Sequence, residues 1–148
     1  MRRGFTLIEI IITMAILGIL AGLAAPSLHD AVVKADAARV LSDFQTIRVA
    51  VMEYHAENDQ YPKTRGQGTV PPDLVSFLPD GFEFEYKSAS YRWRRWSLPN
   101  GLPRNSRQTV LMGVEIRTTD PDLLAAIKKM MGSRTAYGIS KKVTLVIY

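Results

Sequence analysis

A single carboxylate, Glu9, lies inside an apolar run that extends from Phe5 to Ala25. As a helix these 21 residues would span roughly 30 Å, about the thickness of the hydrocarbon core of a bilayer. An ionised side chain is costly in that environment unless an opposite charge or another polar group accompanies it. Glu9 is therefore the first candidate functional residue, and its chemistry would be charge pairing. In a monomer the carboxylate can also reach the lipid headgroups, because it lies about one helical turn into the run.

The rest of the chain offers little chemistry for an enzyme. Its two histidines, His29 and His55, are 26 residues apart, and no Gly-x-Ser-x-Gly motif, metal-spaced His/Cys cluster or phosphate-binding loop occurs. Four carboxylates could form an oxygen-rich calcium site, but their spacing fits no compact metal loop: Glu57, Asp59, Asp73 and Asp80. The sequence therefore predicts a non-enzymatic protein with no metal and no other cofactor.

Two ordinary interpretations fit the basic and apolar N-terminus. A secretory signal would be cut after the apolar stretch, for example near Gly22-Leu23-Ala24, although this run is longer than a usual signal core. A signal anchor would be retained, with Arg2 and Arg3 on the cytoplasmic side. Neither interpretation accounts for the order of residues from Gly4 to Glu9.

The string Gly-Phe-Thr-Leu-Ile-Glu at residues 4–9 resembles the class III signal of type IV pilins and type II secretion pseudopilins. The match extends from Arg2 to about Pro26. The resemblance implies that a prepilin peptidase cuts after Gly4 and methylates the new N-terminus, Phe5. It also implies that Glu9 pairs with the Phe5 ammonium of a neighbouring subunit, so that docking neutralises both charges and sets the axial register.

This resemblance divides the chain into a leader (1–4), a transmembrane and polymerisation segment (5–25) and a periplasmic pilin-like domain (26–148). It implies a single-pass protein of the bacterial inner membrane, or an extracellular filament if the chain is a pilin. The implied partners are prepilin peptidase, membrane lipid, other pilin-like subunits and an inner-membrane assembly platform. Many pilins carry a C-terminal disulfide loop, whereas this chain has no cysteine, which favours a pseudopilin or a minor pilin.

The segment after Pro26 has the pattern of an amphipathic helix that packs on a sheet. Pro26 itself predicts a kink or local unwinding between Gly22 and Pro26. The predicted apolar face consists of Ala31, Ala35, Ala38, Leu41, Phe44, Ile47, Val51 and Tyr54. The predicted polar remainder includes Asp30, Lys34, Asp36, Asp43, Arg48 and Glu57. Residues 57–79 have the Gly and Pro content of a loop, with a short helical turn at 73–78.

The next segment predicts a hairpin. Residues 82–86 and 91–94 alternate strictly between aromatic and charged side chains, with residues 87–90 as the turn. This register pairs Tyr86 with Tyr91 and Phe84 with Trp93 on one face. On the other face it pairs Glu85 with Arg92 and Glu83 with Arg94. The Arg-Trp-Arg-Arg-Trp string resembles a nucleic-acid-binding patch, but in this hairpin Arg92 and Arg94 are neutralised and Trp93 is buried.

The C-terminal third completes the predicted fold. Residues 109–117 and 143–148 have strand patterns, and between them Asp120 and Pro121 begin a helix that Gly132 can end. Its predicted apolar side consists of Leu123, Leu124, Ile127, Met130 and Met131. The predicted fold class is α+β and pilin-like, with a long N-terminal helix packed on an antiparallel sheet of about four strands.

Charge is distributed unevenly along the chain. Residues 29–86 carry five basic and ten acidic side chains, whereas residues 87–142 carry twelve basic and three acidic ones. A bipolar subunit of this kind can stack in a filament through attraction of opposite faces. Together with this, the resemblance of residues 4–9 implies the favoured function, a structural subunit of a type II secretion pseudopilus or a type IV pilus-like filament that supports protein secretion.

An alternative function is a minor type IV pilin that binds DNA or another acidic partner. The candidate contact residues for that function are Arg95, Lys128, Lys129, Arg134, Lys141 and Lys142. A solvated basic face is an equally good interpretation of these side chains.

Overall fold

The computed structural model describes residues 5–97, 110–132, 135–139 and 141–147. They form α1 (Leu7–Asn58), a 3-10 helix (Pro72–Phe77), β1 (Glu85–Tyr86), β2 (Ala89–Ser97), β3 (Val110–Thr118), α2 (Pro121–Met131), β4 (Thr135–Ile139) and β5 (Lys142–Val146). The strands make one antiparallel sheet in the order β1-β2-β3-β5-β4. This arrangement confirms the predicted α+β, pilin-like fold class, with five described strands where about four were expected.

Helix α1 is continuous over 52 residues, which corresponds to a length of about 78 Å. It runs through Pro26 without interruption, so local unwinding between Gly22 and Pro26 is wrong, whereas a kink there stays a prediction. A proline removes a single backbone hydrogen bond, and the alanines before it (Ala21, Ala24 and Ala25) are the best helix formers. The helix ends at Asp59, which adopts a left-handed conformation and donates its N–H to the His55 carbonyl at 2.9 Å.

The second half of α1 packs on the sheet along one side. Its buried apolar residues are Ala37, Val40, Phe44, Ile47, Ala50 and Val51, with Leu41 and Tyr54 partly buried against them. The predicted face is correct from Leu41 onwards but wrong before it, because Ala31, Ala35 and Ala38 are exposed. Alanine occurs on both sides of this stretch, so the spacing of small residues could not show which side the sheet covers.

The sheet supplies the other half of the core. Tyr91 and Trp93 of β2, three residues of β3 and two of β5 are buried on the side that faces α1: Met112, Val114, Ile116, Val143 and Leu145. Helix α2 begins at the predicted cap, where the Asp120 carboxylate accepts the N–H groups of Asp122 and Leu123. It buries Leu123, Leu124 and Ile127, whereas Met130 is exposed.

Strand β4 was not predicted. It is a short strand that contains Gly138 and pairs with β5 with an irregular register between Thr135 and Tyr137. Glycine inside a short segment weakens the strand signal, so only the pairing with β5 identifies residues 135–139 as part of the sheet.

The predicted hairpin exists, but its register is wrong. Tyr86 pairs with Ala89 and Glu85 with Ser90, so the turn consists of two residues, Lys87 and Ser88. Lys87 occupies the left-handed region with a φ of 51°, a conformation for which the sequence carried none of the usual Gly or Asn signals. Phe84 therefore lies beside Tyr91, with ring centroids 6.5 Å apart, instead of beside Trp93.

The predicted ion pairs of that hairpin are also wrong. Arg94 donates to Glu115 on β3, with 3.3 Å between Nη1 and Oε2, and Arg92 lies opposite the same Glu115 in the β2–β3 register. The burial of Trp93 is confirmed, and its indole N–H donates to the Pro62 carbonyl at 2.9 Å.

Two aspartates of α1, Asp36 and Asp43, belong to the predicted polar side of the helix. In the structure their carboxylates instead accept hydrogen bonds from the hairpin. Asp43 is buried, and it accepts the Tyr91 hydroxyl at 2.9 Å and the Arg39 Nε at 3.2 Å. Burial, reinforced by the hydrogen bond to Asp43, raises the pKa of Tyr91 far above its ordinary value. About two turns earlier, Asp36 accepts hydrogen bonds from the Lys87 Nζ at 2.7 Å and from the Tyr86 hydroxyl at 3.0 Å. These contacts fix the rotation of α1 relative to the sheet.

The pair of Asp36 and Lys87 predicts a pH-dependent contribution to stability. The hydrogen bond from Lys87 lowers the pKa of Asp36, and the same bond raises the pKa of Lys87. The stabilisation is therefore complete above the ordinary Asp value of about 3.9, and it is lost as the pH falls through the lowered Asp36 pKa. On the alkaline side it is lost as the pH rises through the raised Lys87 pKa.

We expect Lys87→Met to lower the urea midpoint of the detergent-solubilised chain at pH 7, and this difference from wild type to shrink steadily below pH 4. Lys63→Met is the matched control, since Lys63 is exposed and makes no ion pair within the described residues. A difference that stays constant down to pH 2 would contradict the assignment of this contribution to Asp36.

Candidate functional site

The first half of α1 has an uncovered apolar surface. From Phe5 to Ala25 every side chain is exposed, including Phe5 (80 %) and Leu7 (78 %). This part of the helix is long and apolar enough to cross a membrane, judged by length and composition. A surface of this kind is far larger than the apolar patches of ordinary soluble domains, so it requires either lipid or other protein to cover it.

Glu9 lies near the start of this surface, and it takes part in the N-terminal cap of α1. Its carboxylate Oε2 accepts both the backbone N–H and the hydroxyl of Thr6, each at 2.9 Å. In return, the Thr6 Oγ1 accepts the Glu9 N–H at 3.4 Å. This reciprocal arrangement is a capping box, which satisfies two backbone donors that the first turn leaves free.

Thr6 is the N-cap residue of α1, and the sequence interpretation missed it. The signal was present, because a threonine followed three residues later by a glutamate at the start of an apolar run is the pattern of a capping box. Through this contact Thr6 orients the carboxylate on which the expected charge pairing depends. Phe5 directly precedes the cap, whereas Gly4 lies outside the described residues.

The comparisons with known proteins bear on this N-terminal segment. Residues 1–25 match the family model described as the prokaryotic N-terminal methylation motif. The chain carries a prepilin-type N-terminus. The match begins at Met1 and ends at Ala25, so it covers the expected leader together with the whole exposed apolar part of α1.

Curated relatives share more of the chain than this motif. Type II secretion system core protein G of Klebsiella michiganensis is 38% identical over 89 residues, which cover 55% of this chain and 62% of that protein. The protein of the same name from Escherichia coli strain K12 is 35% identical over 89 residues, covering 55% of this chain and 61% of that protein. Type IV major pilin protein PilE1 of Neisseria gonorrhoeae is 33% identical over 72 residues, covering 49% and 34%.

The chain thus matches less than two thirds of the length of these relatives. No solved structure matches it significantly. The names of the relatives and the N-terminal motif confirm the resemblance to type II secretion pseudopilins and type IV pilins that residues 4–9 indicated.

The six candidate contact residues for an acidic partner differ in exposure and in their contacts. Arg95, Lys129 and Lys141 are exposed, and Lys128 is half-buried. Lys128 and Lys129 lie in the last turn of α2, where a positive charge also complements the helix dipole. Lys142 forms an ion pair with Glu115, with 3.4 Å between Nζ and Oε1. Arg134 lies outside the described residues.

His55, His29 and Asp73 make local contacts. The His55 ring stacks on Tyr61 with centroids 4.0 Å apart, and the His29 Nε2 lies 3.5 Å from the Asp122 carboxylate of α2. Within the described residues, no three His, Cys, Asp or Glu side chains come together as metal ligands. Asp73 of the proposed calcium set instead accepts the Lys63 N–H at 2.9 Å.

The capping box gives a testable role for Thr6. We expect Thr6→Val to destabilise the first turn of α1 by about 1 kcal/mol, because the Glu9 N–H loses its acceptor and the Glu9 carboxylate loses the hydroxyl donor and keeps only the backbone N–H of residue 6. Hydrogen exchange of the Glu9 amide in detergent micelles should be roughly five times faster than in wild type. Thr6→Ser keeps the hydroxyl and should exchange like wild type. Equal exchange in Thr6→Val and Thr6→Ser would contradict the role of the hydroxyl.

Proposed function

We propose that this chain is a structural, non-enzymatic subunit of a filament of the type II secretion pseudopilus or type IV pilus kind, with support of protein secretion as its task. The observation that carries the proposal is that the methylation motif, residues 1–25, contains the exposed apolar part of α1. The relatives named type II secretion system core protein G favour the secretion system over the pilus.

The geometry supports a filament in two ways. The exposed apolar half of α1 has the surface to pack against equivalent helices, and it is joined without a break to a folded domain. Parallel copies of one such helix would carry the domains in a regular array. The proposed location is the bacterial inner membrane, crossed once, with the domain on the periplasmic side and Arg2 and Arg3 on the cytoplasmic side.

The proposed maturation steps involve the two residues before the cap. A prepilin peptidase would cut after Gly4 and methylate the new amino group of Phe5. Phe5 directly precedes the Thr6–Glu9 cap, so cleavage would create a positive charge next to the cap in sequence. Pairing of Glu9 with the Phe5 ammonium of a neighbour would then bring opposite charges together inside lipid or protein. An inner-membrane assembly platform and membrane lipid complete the proposed partners.

The processing step is tested by the mass of the mature N-terminal peptide. In cells that contain prepilin peptidase, we expect a peptide that begins with N-methylated Phe5, whereas cells without the peptidase should retain Met1. A start near Ala25, or an unmodified Met1 in both strains, would refute the proposal and leave a secreted or simply anchored domain.

The role of Glu9 is tested by Glu9→Leu in the same cells. We expect normal cleavage, but sedimentable filaments at less than about a tenth of the wild-type amount, because an unpaired ammonium in the membrane strongly disfavours association. Glu9→Asp keeps the charge and should assemble better than Glu9→Leu. Wild-type filament yield in Glu9→Leu would contradict the proposed pairing.

A further inference from the structure

One end of the sheet is turned towards the apolar half of α1. The β1–β2 turn contacts α1 through Lys87 and Asp36, with 2.7 Å between Nζ and Oδ1, whereas Tyr91, further along β2, reaches Asp43. Strand β2 therefore starts near the anchor and runs away from it. Asp36 follows Ala25, the end of the apolar run, by 11 residues. This end of the sheet thus lies about 16 Å beyond the apolar run along the helix axis.

Basic side chains from neighbouring strands meet at this end of the sheet. The hydroxyls of Ser88 and Thr118 lie 3.0 Å apart, and the Thr118 N–H donates to the Lys141 carbonyl at 3.2 Å. Arg117 and Lys142 lie opposite each other in the β3–β5 register. Both follow the face of the sheet turned away from α1, because their neighbours in β3 and β5 are buried beneath the helix. We call this end of the sheet, with Arg117, Lys141 and Lys142, the basic edge.

The basic edge keeps positive charge that no carboxylate of the described residues neutralises. Arg117 and Lys141 are exposed and make no ion pair within those residues. In the two strand registers Arg117 lies opposite a serine and a lysine. Lys142 pairs with Glu115, which Arg94 also contacts. Two full positive charges therefore remain available for an anionic partner.

The acidic side chains near this level are engaged or lie in another layer. Asp36 is paired with the lysine of the β1–β2 turn, and Asp120 accepts the N–H groups that begin α2. Asp30 and Asp122 are exposed, but they line a groove between α1 and α2, in the layer of helices. A tilt of α1 towards the sheet therefore brings the basic edge closer to the membrane than these carboxylates.

We propose that the basic edge of the unassembled subunit binds the anionic phospholipid headgroups of the leaflet next to the domain. The headgroup layer extends roughly 5–7 Å beyond the hydrocarbon. Transmembrane helices are tilted by about 20° on average, and such a tilt towards the sheet, with the length of the Arg and Lys side chains, brings the charges to the headgroups. Each of these charges strengthens attraction to an anionic surface by roughly fivefold.

The anchor favours lipid over a nucleic acid as the partner. It holds the basic edge beside the leaflet at all times, whereas a nucleic acid would have to enter the space between the domain and the membrane. The contact would keep the domain in one orientation until neighbouring subunits replace the lipid. The inference rests on the proposed membrane location of the chain.

The absence of cysteine allows a single label at the basic edge. Thr119 is exposed directly after the end of β3. A full-length Thr119→Cys chain with a donor fluorophore is placed in nanodiscs of phosphatidylcholine or of an equimolar mixture with phosphatidylglycerol, and single-molecule energy transfer to labelled headgroups is measured. We expect the fraction of chains with the label near the headgroups to be roughly fivefold or more greater in the anionic nanodiscs. It should fall to the phosphatidylcholine value in about 1 M salt.

Charge reversals then identify the residues. In the labelled chain, Arg117→Glu/Lys141→Glu should lower that fraction in anionic nanodiscs by roughly tenfold or more. The matched control is Arg95→Glu/Lys63→Glu, which reverses two exposed cations near the other end of β2. These lie about 20 Å from the basic edge along the strand, more than a Debye length of about 10 Å, so the fraction should stay close to that of the unreversed chain.

The outcomes separate this inference from its alternatives. Equal energy transfer in the two lipid mixtures, or equal effects of the two reversals, would overturn the lipid contact. It is also overturned if the Arg117→Glu/Lys141→Glu pair abolishes a salt-dependent gel shift with DNA while energy transfer does not depend on lipid. Peptide mass and filament yield test the proposed function separately. Lipid-independent energy transfer in a chain that is processed and assembled refutes only the lipid contact. In a chain that is neither processed nor assembled the filament function fails, whereas energy transfer in nanodiscs still decides the lipid contact.

Discussion

The continuity of α1 is the constraint on which the rest of the structure depends. Helix α1 is one hydrogen-bonded helix of 52 residues. Its first half exposes apolar side chains on all sides, whereas its second half is covered by the sheet on one side. A helix that unwound at Pro26 would let the domain move independently of the anchor. An uninterrupted helix instead transmits the rotation and height of Glu9 to the domain, so the position of the anchor sets the position of the sheet.

The rotation of α1 is fixed by carboxylates as well as by apolar packing. Apolar contacts are non-directional, and alanines on several sides of the helix would tolerate other rotations. The hydrogen bond from the buried Tyr91 hydroxyl to Asp43 has a defined geometry, and breaking it would leave a buried charge with a single remaining partner. As a result Val49, on the opposite side of the helix, stays 55 % exposed.

Glu115 organises the other side of the domain. A buried carboxylate requires compensation, and here basic residues from β2 and β5 provide it. This arrangement concentrates guanidinium groups on a surface that α1 does not cover. These guanidinium groups lie on the face of the sheet opposite to the one that packs on α1.

Most of the helices and strands follow from local sequence patterns. The apolar run, the Asp120 cap, the strand alternation in β3 and the burial of Trp93 follow from local periodicity and capping chemistry, and residues 4–9 identified the N-terminal motif. Tertiary structure decided which side of α1 is covered, the two-residue turn at Lys87, the strand β4 and the partner of Arg94. These features depend on pairings between residues far apart in the chain, such as Asp36 with Lys87 and Arg94 with Glu115. Local patterns constrain the period of a segment, whereas its rotation and register depend on the segment that packs against it.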